Sequence, residues 1–243
     1  METKDFNYKY DNVVQVDEDA ASRKFLGNVF AWMFVAMIIS GITTYFFTTD
    51  ITYLRLIVDP VAGGLTGFGY FAIFSPILFS LVMNFGFNKL SFPVLVALFI
   101  AYSAIIGVSL SLIFLVYTAA SILNVFIAGI VIFAGMAIAG YYTTQDLSKF
   151  GSLLRYGVIG VIAASVVNFW VGGDGLSYLI GIVGSAVFIG LTAYYMQMLK
   201  RIGAGVEFGT ANANKLALMG ALSLYVTLIN LILSLLRIFG RRR

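Results

Sequence analysis

The residues from Phe25 to Thr49 read FLGNVFAWMFVAMIISGITTYFFTT, and none of these 25 positions carries a charge. As a helix this segment would be about 37 Å long, enough to cross a hydrocarbon core of about 30 Å once. Further uncharged runs follow, and the longest covers the 56 residues from Leu90 to Gln145. Because that length exceeds one span, it predicts two helices joined by a turn near Tyr117 to Ser121.

The composition agrees with a chain that lies mostly in lipid. Hydrophobic residues make up 60% of the 243 residues and charged residues 11%, and the mean hydropathy is +0.97. Soluble domains average roughly 45–50% apolar and about 25% charged residues. This chain therefore has too little polar surface to enclose a water-facing globule, and its excess apolar residues must face a bilayer.

The spacing of the charges predicts an all-α polytopic membrane protein with seven spans and no separate soluble domain. The transmembrane domain covers 25–240, with spans at about 25–48, 67–87, 93–116, 121–142, 153–170, 176–198 and 216–237. A polar acidic tail (1–24) precedes it and a basic C-terminus (241–243) follows. The tail is not a signal peptide, because it has no apolar core behind a basic start.

Lysine and arginine counts predict a cytoplasmic N-terminus. With that orientation ten basic residues lie inside and five outside, as the positive-inside rule requires. Four of the outer five are Arg237 and the final triplet Arg241 to Arg243, so a last segment that re-enters without crossing is the alternative. We expect seven full spans in a cell inner membrane, since the loops are compact and organelle-addressing signals are absent.

Two missing residue types limit the chemistry. The chain has no cysteine and no histidine, which excludes disulfides, thiolate metal sites and the Ser/His/Asp arrangement. There is also no Gly-rich phosphate loop and no acid and base pair. We therefore expect a protein that is not an enzyme, with no cofactor, no metal site and no nucleic-acid partner, since the net charge of +4 lies at helix ends.

Several polar residues interrupt the apolar pattern. A polar island from Thr143 to Lys149 contains Asp146 and Lys149, and Arg155 follows. These charges could dock a partner, but capping of helix ends is favoured. Asn168, Gln197 and Asn230 are candidates to line a pathway or to bridge helices, and bridging is favoured for the two asparagines. Small residues at four-residue spacing, such as Gly181 and Ser185, indicate close helix packing.

The segment from Gly140 to Ser152, GYYTTQDLSKFGS, resembles the signature at the end of the fourth helix of the Bax inhibitor family, also called the transmembrane Bax inhibitor motif family. Further motifs match in order, namely 107–111 (GVSLS), 133–136 (FAGM), 165–168 (SVVN), 220–225 (GALSLY) and 229–231 (INL). The resemblance implies a seven-helix bundle with the last helix near its centre. It also implies a pH-sensitive calcium leak, cell-death suppression in eukaryotes and, in bacterial relatives, association with a membrane protease.

The chain departs from the family at two positions. In leak-type members, one aspartate late in helix six and one in helix seven face each other as a proton-sensitive latch. Here the helix-six motif reads AYYMQ (193–197) and the helix-seven motif reads LYVTLIN (224–230), so Tyr195 and Thr227 replace the aspartates. Tyrosine titrates near 10 and threonine does not titrate. The two residues could form a hydrogen bond or simply fill space.

Two functional hypotheses follow. The first is a cation leak, with calcium as the ion and without proton gating, because the latch carboxylates are missing. Calcium prefers six to eight oxygen ligands, usually including carboxylates, and the spans offer only carbonyls, hydroxyls and amides. The alternative is a non-conducting regulator or adaptor that binds a membrane protease or stress-response partner, through the acidic tail or the connection from Lys200 to Lys215 with its Glu207.

Overall fold

The computed structural model describes residues 18–59, 63–206 and 209–242 of the chain. Most of the acidic tail, Glu207 and Arg243 lie outside these residues. The elements, in order, are α1 (Glu18–Thr49), α2 (Ile51–Ile57), β1 (Val58–Asp59), β2 (Gly64–Leu65), α3 (Gly67–Gly86), α4 (Phe92–Ser111), α5 (Ile113–Val116), α6 (Ala119–Tyr142), a 3-10 helix (Leu147–Phe150), α7 (Gly151–Val171), α8 (Asp174–Gly205) and α9 (Ala211–Phe239). Strands β1 and β2 form one antiparallel hairpin.

Seven helical segments within the described residues are long and apolar enough to cross a membrane, which confirms the predicted all-α polytopic fold. The first of them starts earlier than the predicted span, since α1 begins at Glu18. Phe25 is 3% exposed, and the Ser22 hydroxyl donates a hydrogen bond to the Lys200 carbonyl at 2.9 Å. The end of the predicted tail is therefore helical and packed against α8.

Successive helices run in opposite directions, which gives the bundle two ends. At the island end, Lys215 Nζ donates to the Leu90 carbonyl at 2.7 Å, and the polar island lies beside the last turns of α8. At the C-terminal end, the Thr118 amide donates to the Arg241 carbonyl at 3.1 Å. The start of α9 thus lies at one end of the bundle and its last residues lie at the other.

Helix α9 is the most buried of the seven. In its apolar 18-residue segment 67% of the residues are buried, and in that of α8 50% are buried. Helix α9 packs against α1, α4, α6 and α8, and its buried side chains include Leu218, Leu224, Tyr225 and Leu231. Because α9 has neighbours on several sides, small residues such as Ala217, Gly220 and Ala221 recur along it, and they allow close approach.

One proline shapes the side of the bundle formed by α3 and α4. Pro76 lies inside α3 and has no amide to donate to the carbonyl of Ala72, one turn earlier. The Ser109 hydroxyl of α4 donates to that carbonyl at 2.5 Å. A neighbouring helix therefore satisfies the group that the proline leaves free, as membrane helices require.

Candidate functional site

The latch positions lie on α8 and α9 but are not hydrogen-bonded to each other. Thr227 is 2% exposed, and its hydroxyl donates to the Ser223 carbonyl of its own helix at 2.7 Å. Tyr195 is half-buried, and its ring contacts that of Tyr194 with centroids 5.4 Å apart. Threonine hydroxyls commonly bond the carbonyl four residues earlier, which explains why the possible bond between the two residues does not form.

The register of α8 and α9 supplies a second reason. A Cβ added to Gly184 would lie 2.6 Å from Ser234 Oγ, and one added to Gly220 would lie 2.5 Å from Leu199 Cδ2. In this antiparallel pair Thr227 is level with a residue about one turn before Tyr195. The same contacts support packing as the role of the small residues in these two helices.

Gln197 connects α8 to the polar island. It is 7% exposed; its Nε2 donates to the Gln145 carbonyl at 2.7 Å, and its Oε1 accepts from the Leu147 amide at 2.9 Å. Each half of the side-chain amide therefore satisfies one backbone group of the island. Gln197 bridges α8 to this connection and does not face the cavity described below.

Within the described ranges, the two asparagines form no hydrogen bond between helices. Asn230 Nδ2 donates to the Val226 carbonyl within α9 at 2.8 Å, and the residue lines a cavity. Asn168 Oδ1 is buried and accepts no hydrogen bond from the part of the chain that the structure describes. The structure therefore shows no interhelical bridge by either residue among the described residues. For Asn230 the reason is that a helical asparagine reaches its own backbone more readily than a neighbouring helix.

Asp146 caps the 3-10 helix and pairs with α8. Its carboxylate accepts from the Ser148 hydroxyl at 2.7 Å and the Ser148 amide at 3.2 Å, and Arg201 Nη2 lies 2.8 Å from the same group. These bonds, first from the Ser148 side chain and then from Arg201, lower the pKa of Asp146 to about 2. Asp146 is therefore a capping residue that also ties the island to α8.

The other two island charges have local surroundings. Arg155 Nε donates to the Gly151 carbonyl of its own helix at 3.1 Å, and Lys149 is exposed in the last turn of the 3-10 helix. Arg201 and Lys200 belong to the connection from Lys200 to Lys215 that was a candidate to bind a partner, but their contacts with the island were not predicted. Lys200 Nζ lies 4.4 Å from the centroid of the Tyr141 ring. The available signal was their position on α8 three and four residues after Gln197, which places them near the same side of the helix.

A cavity of about 640 Å³ lies between α3, α4, α7 and α9, with Phe188 of α8 in its wall. Most of its lining is apolar, and Arg237 is the one charged side chain that lines it among the described residues. Arg237 Nη1 donates to Ser165 Oγ of α7 at 3.0 Å. In the count of basic residues Arg237 was one of the outer charges, at the end of the predicted seventh span (216–237). The structure places it in the last turn of α9, facing the cavity.

The C-terminal segment closes the bundle beside this cavity. The Arg241 amide donates to Ser121 Oγ at 2.9 Å. The backbone of Arg242 forms an isolated antiparallel β-bridge with that of Tyr117, and the Arg242 guanidinium pairs with Asp174 at the start of α8. The hydrogen bond that Arg242 donates to the Asp174 carboxylate raises the pKa of Arg242. These contacts fix the end of α9 against the α5–α6 connection and α8.

Comparison with known proteins identifies the family. The profile of the family described as "Inhibitor of apoptosis-promoting Bax1" matches residues 22–243. The inner membrane protein YbhL of Escherichia coli is 37% identical over 234 residues, which cover 96% of this chain and 97% of that protein. A Borreliella burgdorferi protein described as uncharacterized is 38% identical over 222 residues, covering 90% of this chain and 93% of its own length.

A Caulobacter vibrioides protein, also described as uncharacterized, is 32% identical over 248 residues, covering 98% of this chain and 99% of its own length. The match to the family profile begins within the first turns of α1 and extends to the last residue. The chain is therefore a multi-pass membrane protein that belongs to the Bax inhibitor family.

Proposed function

We propose that this protein is a non-conducting membrane regulator of the Bax inhibitor family, which acts by binding another membrane protein. The observation that carries this proposal is the sign of the charge that faces the cavity. That charge belongs to Arg237, which is a cation and disfavours the passage of other cations. The acidic residues of the described part of the chain lie at helix ends or in connections, namely Glu18, Asp19, Asp50, Asp59, Asp146 and Asp174.

A calcium path through this cavity would meet unfavourable electrostatics. Calcium needs six to eight oxygen ligands, whereas the wall is mostly apolar and its charged group repels a cation. Within the described residues no three acidic side chains come together. The leak that the family resemblance implies therefore has no evident binding site here, and the non-conducting alternative is favoured.

Flux through vesicles tests the conduction half of the proposal. The full chain, reconstituted into vesicles loaded with a calcium dye, should give the flux of protein-free vesicles at pH 6 and at pH 8. An ionophore added at the end verifies that the dye responds. A flux that rises several-fold with protein, with or without a pH dependence, would contradict the proposal.

Crosslinking in native membranes tests the regulatory half. Helix α1 begins at Glu18, so deletion of residues 2–17 removes tail residues and leaves the helix complete. We expect crosslinks to a membrane protease or stress-response protein that the deletion weakens. A partner set that is unchanged by the deletion and by charge reversal at Lys149 would remove both segments from the proposal.

We also propose a cytoplasmic N-terminus, from the distribution of basic residues. The chain has no native cysteine, so single-cysteine variants can report sidedness without background. Lys149→Cys at the island end should react with a membrane-impermeant thiol reagent only after cells are opened. Thr52→Cys, which is exposed near the other end, should react in intact spheroplasts, and the reverse pattern would invert the topology.

A further inference from the structure

Arg237 carries a positive charge that the described residues do not neutralise. A guanidinium has five N–H donors, and the described residues accept one of them, through Ser165 Oγ at 3.0 Å. The ion pairs of the described residues join Arg201 to Asp146 and Arg242 to Asp174, and none of them includes Arg237. An arginine near a helix end commonly extends to the interface, but this one is held against α7.

The cavity that Arg237 lines is deep enough to hold an acyl chain. Along α9 its wall runs from Val226 to Arg237, a rise of about 16 Å at roughly 1.5 Å per residue. One leaflet of the hydrocarbon core is about 15 Å thick, half of about 30 Å. The cavity is therefore as deep as one leaflet, with its charged group near the end of the bundle.

The cavity opens sideways to the region that lipid occupies. Six apolar residues of its wall are exposed, and they lie on α3 and α7: Phe74, Ile77, Leu81, Ile162, Val166 and Phe169. Among the described residues α3 and α7 share no extended interface, and the Tyr70 and Phe74 rings meet Phe169 edge-on. A lipid can thus enter between α3 and α7 without crossing the packed part of the bundle.

We propose that this cavity binds one anionic phospholipid, with the phosphate on the Arg237 guanidinium and one acyl chain between α3 and α7. Arginine donors match phosphate oxygens in a two-bond geometry. A net negative headgroup neutralises the arginine, whereas a zwitterionic one brings its own ammonium group. The site does not depend on the proposed regulatory function, because lipid occupancy and ion conduction are measured separately.

Native mass spectrometry of the purified full chain tests the site. After incubation with phosphatidylglycerol or phosphatidylcholine of equal chain length, we expect about one retained phosphatidylglycerol per chain and little phosphatidylcholine. Arg237→Gln should lower the retained phosphatidylglycerol about tenfold, because the charged hydrogen bonds are lost. Arg55→Gln removes an exposed arginine at the same end of the bundle and should leave retention unchanged.

A second variant addresses the acyl chain and keeps the test decisive if Arg237→Gln does not fold. Val226 lines the deep end of the cavity and is half-buried, so Val226→Trp should fill that space and lower retention with Arg237 intact. Equal retention of the two lipids, or full retention in either variant, would overturn the proposal. Displacement by inorganic phosphate combined with full retention in Val226→Trp would instead indicate a free-anion site and would also overturn it.

Discussion

Helices α8 and α9 pack tightly along one side of the bundle, whereas α3 and α7 face each other across an open cavity. In the apolar 18-residue segment of each helix, 50% of the residues of α8 and 67% of those of α9 are buried. The corresponding fractions are 22% for α3 and 11% for α7. On the packed side, Gly181 and Gly184 lie directly against Ser234 of α9. On the open side, large aromatic residues meet, with the Tyr70 and Phe169 ring centroids 6.4 Å apart.

This difference shows that side-chain size decides packing where hydrophobicity does not. Both pairs are strongly apolar, and lipid tails are as apolar as leucine, so burial against another helix gains little transfer free energy inside a membrane. Close packing then depends on dispersion contacts, which need small residues at the interface. Where large residues occur instead, as on α3 and α7, the helices remain accessible to lipid.

Gly140→Ala should produce the largest effect on the packed side. An added Cβ would lie 2.7 Å from Ala193 Cα of α8, and a backbone atom cannot move aside as a flexible side chain can. We expect a loss of about 1–3 kcal/mol in the free energy of unfolding, measured as a lower thermal midpoint in detergent.

Gly135→Ala is the matched control on the same helix. Nothing lies within 4 Å of its added Cβ, so it should be neutral or stabilising by about 0.5–1 kcal/mol, the usual helix propensity gain. Equal destabilisation by the two variants would mean that close approach of α6 and α8 is not what Gly140 provides.

Gln197→Leu should cause the next largest loss of stability, because it leaves two backbone groups of the island without partners. The Gln145 carbonyl and the Leu147 amide lose their bonds at 2.7 and 2.9 Å, at an expected cost of about 1–3 kcal/mol. Proteolysis within the island should become faster. Gln145→Leu is the control, since that side chain is exposed and only its carbonyl is used; a similar effect there would contradict the assignment.

A double-mutant cycle of Tyr195→Phe and Thr227→Val should show little coupling. Thr227 bonds its own helix, so its replacement should cost no more than about 0.6 kcal/mol, the average for hydrogen bonds between membrane helices. The coupling energy should stay below about 0.5 kcal/mol, as for residues that share no contact. A larger coupling, measured from chemical unfolding in detergent, would restore the hypothesis of a Tyr195–Thr227 hydrogen bond.

The smallest expected effect concerns pH. The pKa of Asp146 lies below its ordinary value, at about 2, so the carboxylate bonds contribute fully above the unfolded pKa of about 3.9 and are lost as pH falls towards 2. A fluorophore on Lys149→Cys should therefore report no change between pH 5 and 8 and a change only below about pH 4. With Asp146→Asn added, the acid transition should disappear; a transition near neutrality would show that another group titrates.

The sequence was sufficient to predict the number and order of the spans, because partition into lipid depends on local composition. It was less informative at the ends of the helices. Helix α1 begins seven residues before the predicted span. Its first turns are held against α8, where Ser22 bonds the Lys200 carbonyl and Phe25 lies beside Gly203. The position of the last helix near the bundle centre stays a prediction; the structure gives its high burial.

The roles of individual polar residues depended on the tertiary structure. Asp146 was expected to cap a helix end, and it does cap the 3-10 helix, but its bond to Arg201 joins residues 55 positions apart. Arg237 and Ser165 are 72 positions apart, and no local pattern marks them as neighbours. The cavity that they border could not be predicted from either helix alone.

By itself, the amino-acid sequence determined that this protein has seven segments long and apolar enough to cross a membrane and that it belongs to the Bax inhibitor family. It also determined that Tyr195 and Thr227 stand where the family resemblance implies two aspartates. Each of these properties is local, since it depends on the residues within one segment. Only the tertiary structure decided that Thr227 bonds its own helix, that Gln197 holds the island, and that Arg237 faces an apolar cavity. Such contacts depend on helix register and on side-chain size across interfaces, which are set by distant parts of the chain together.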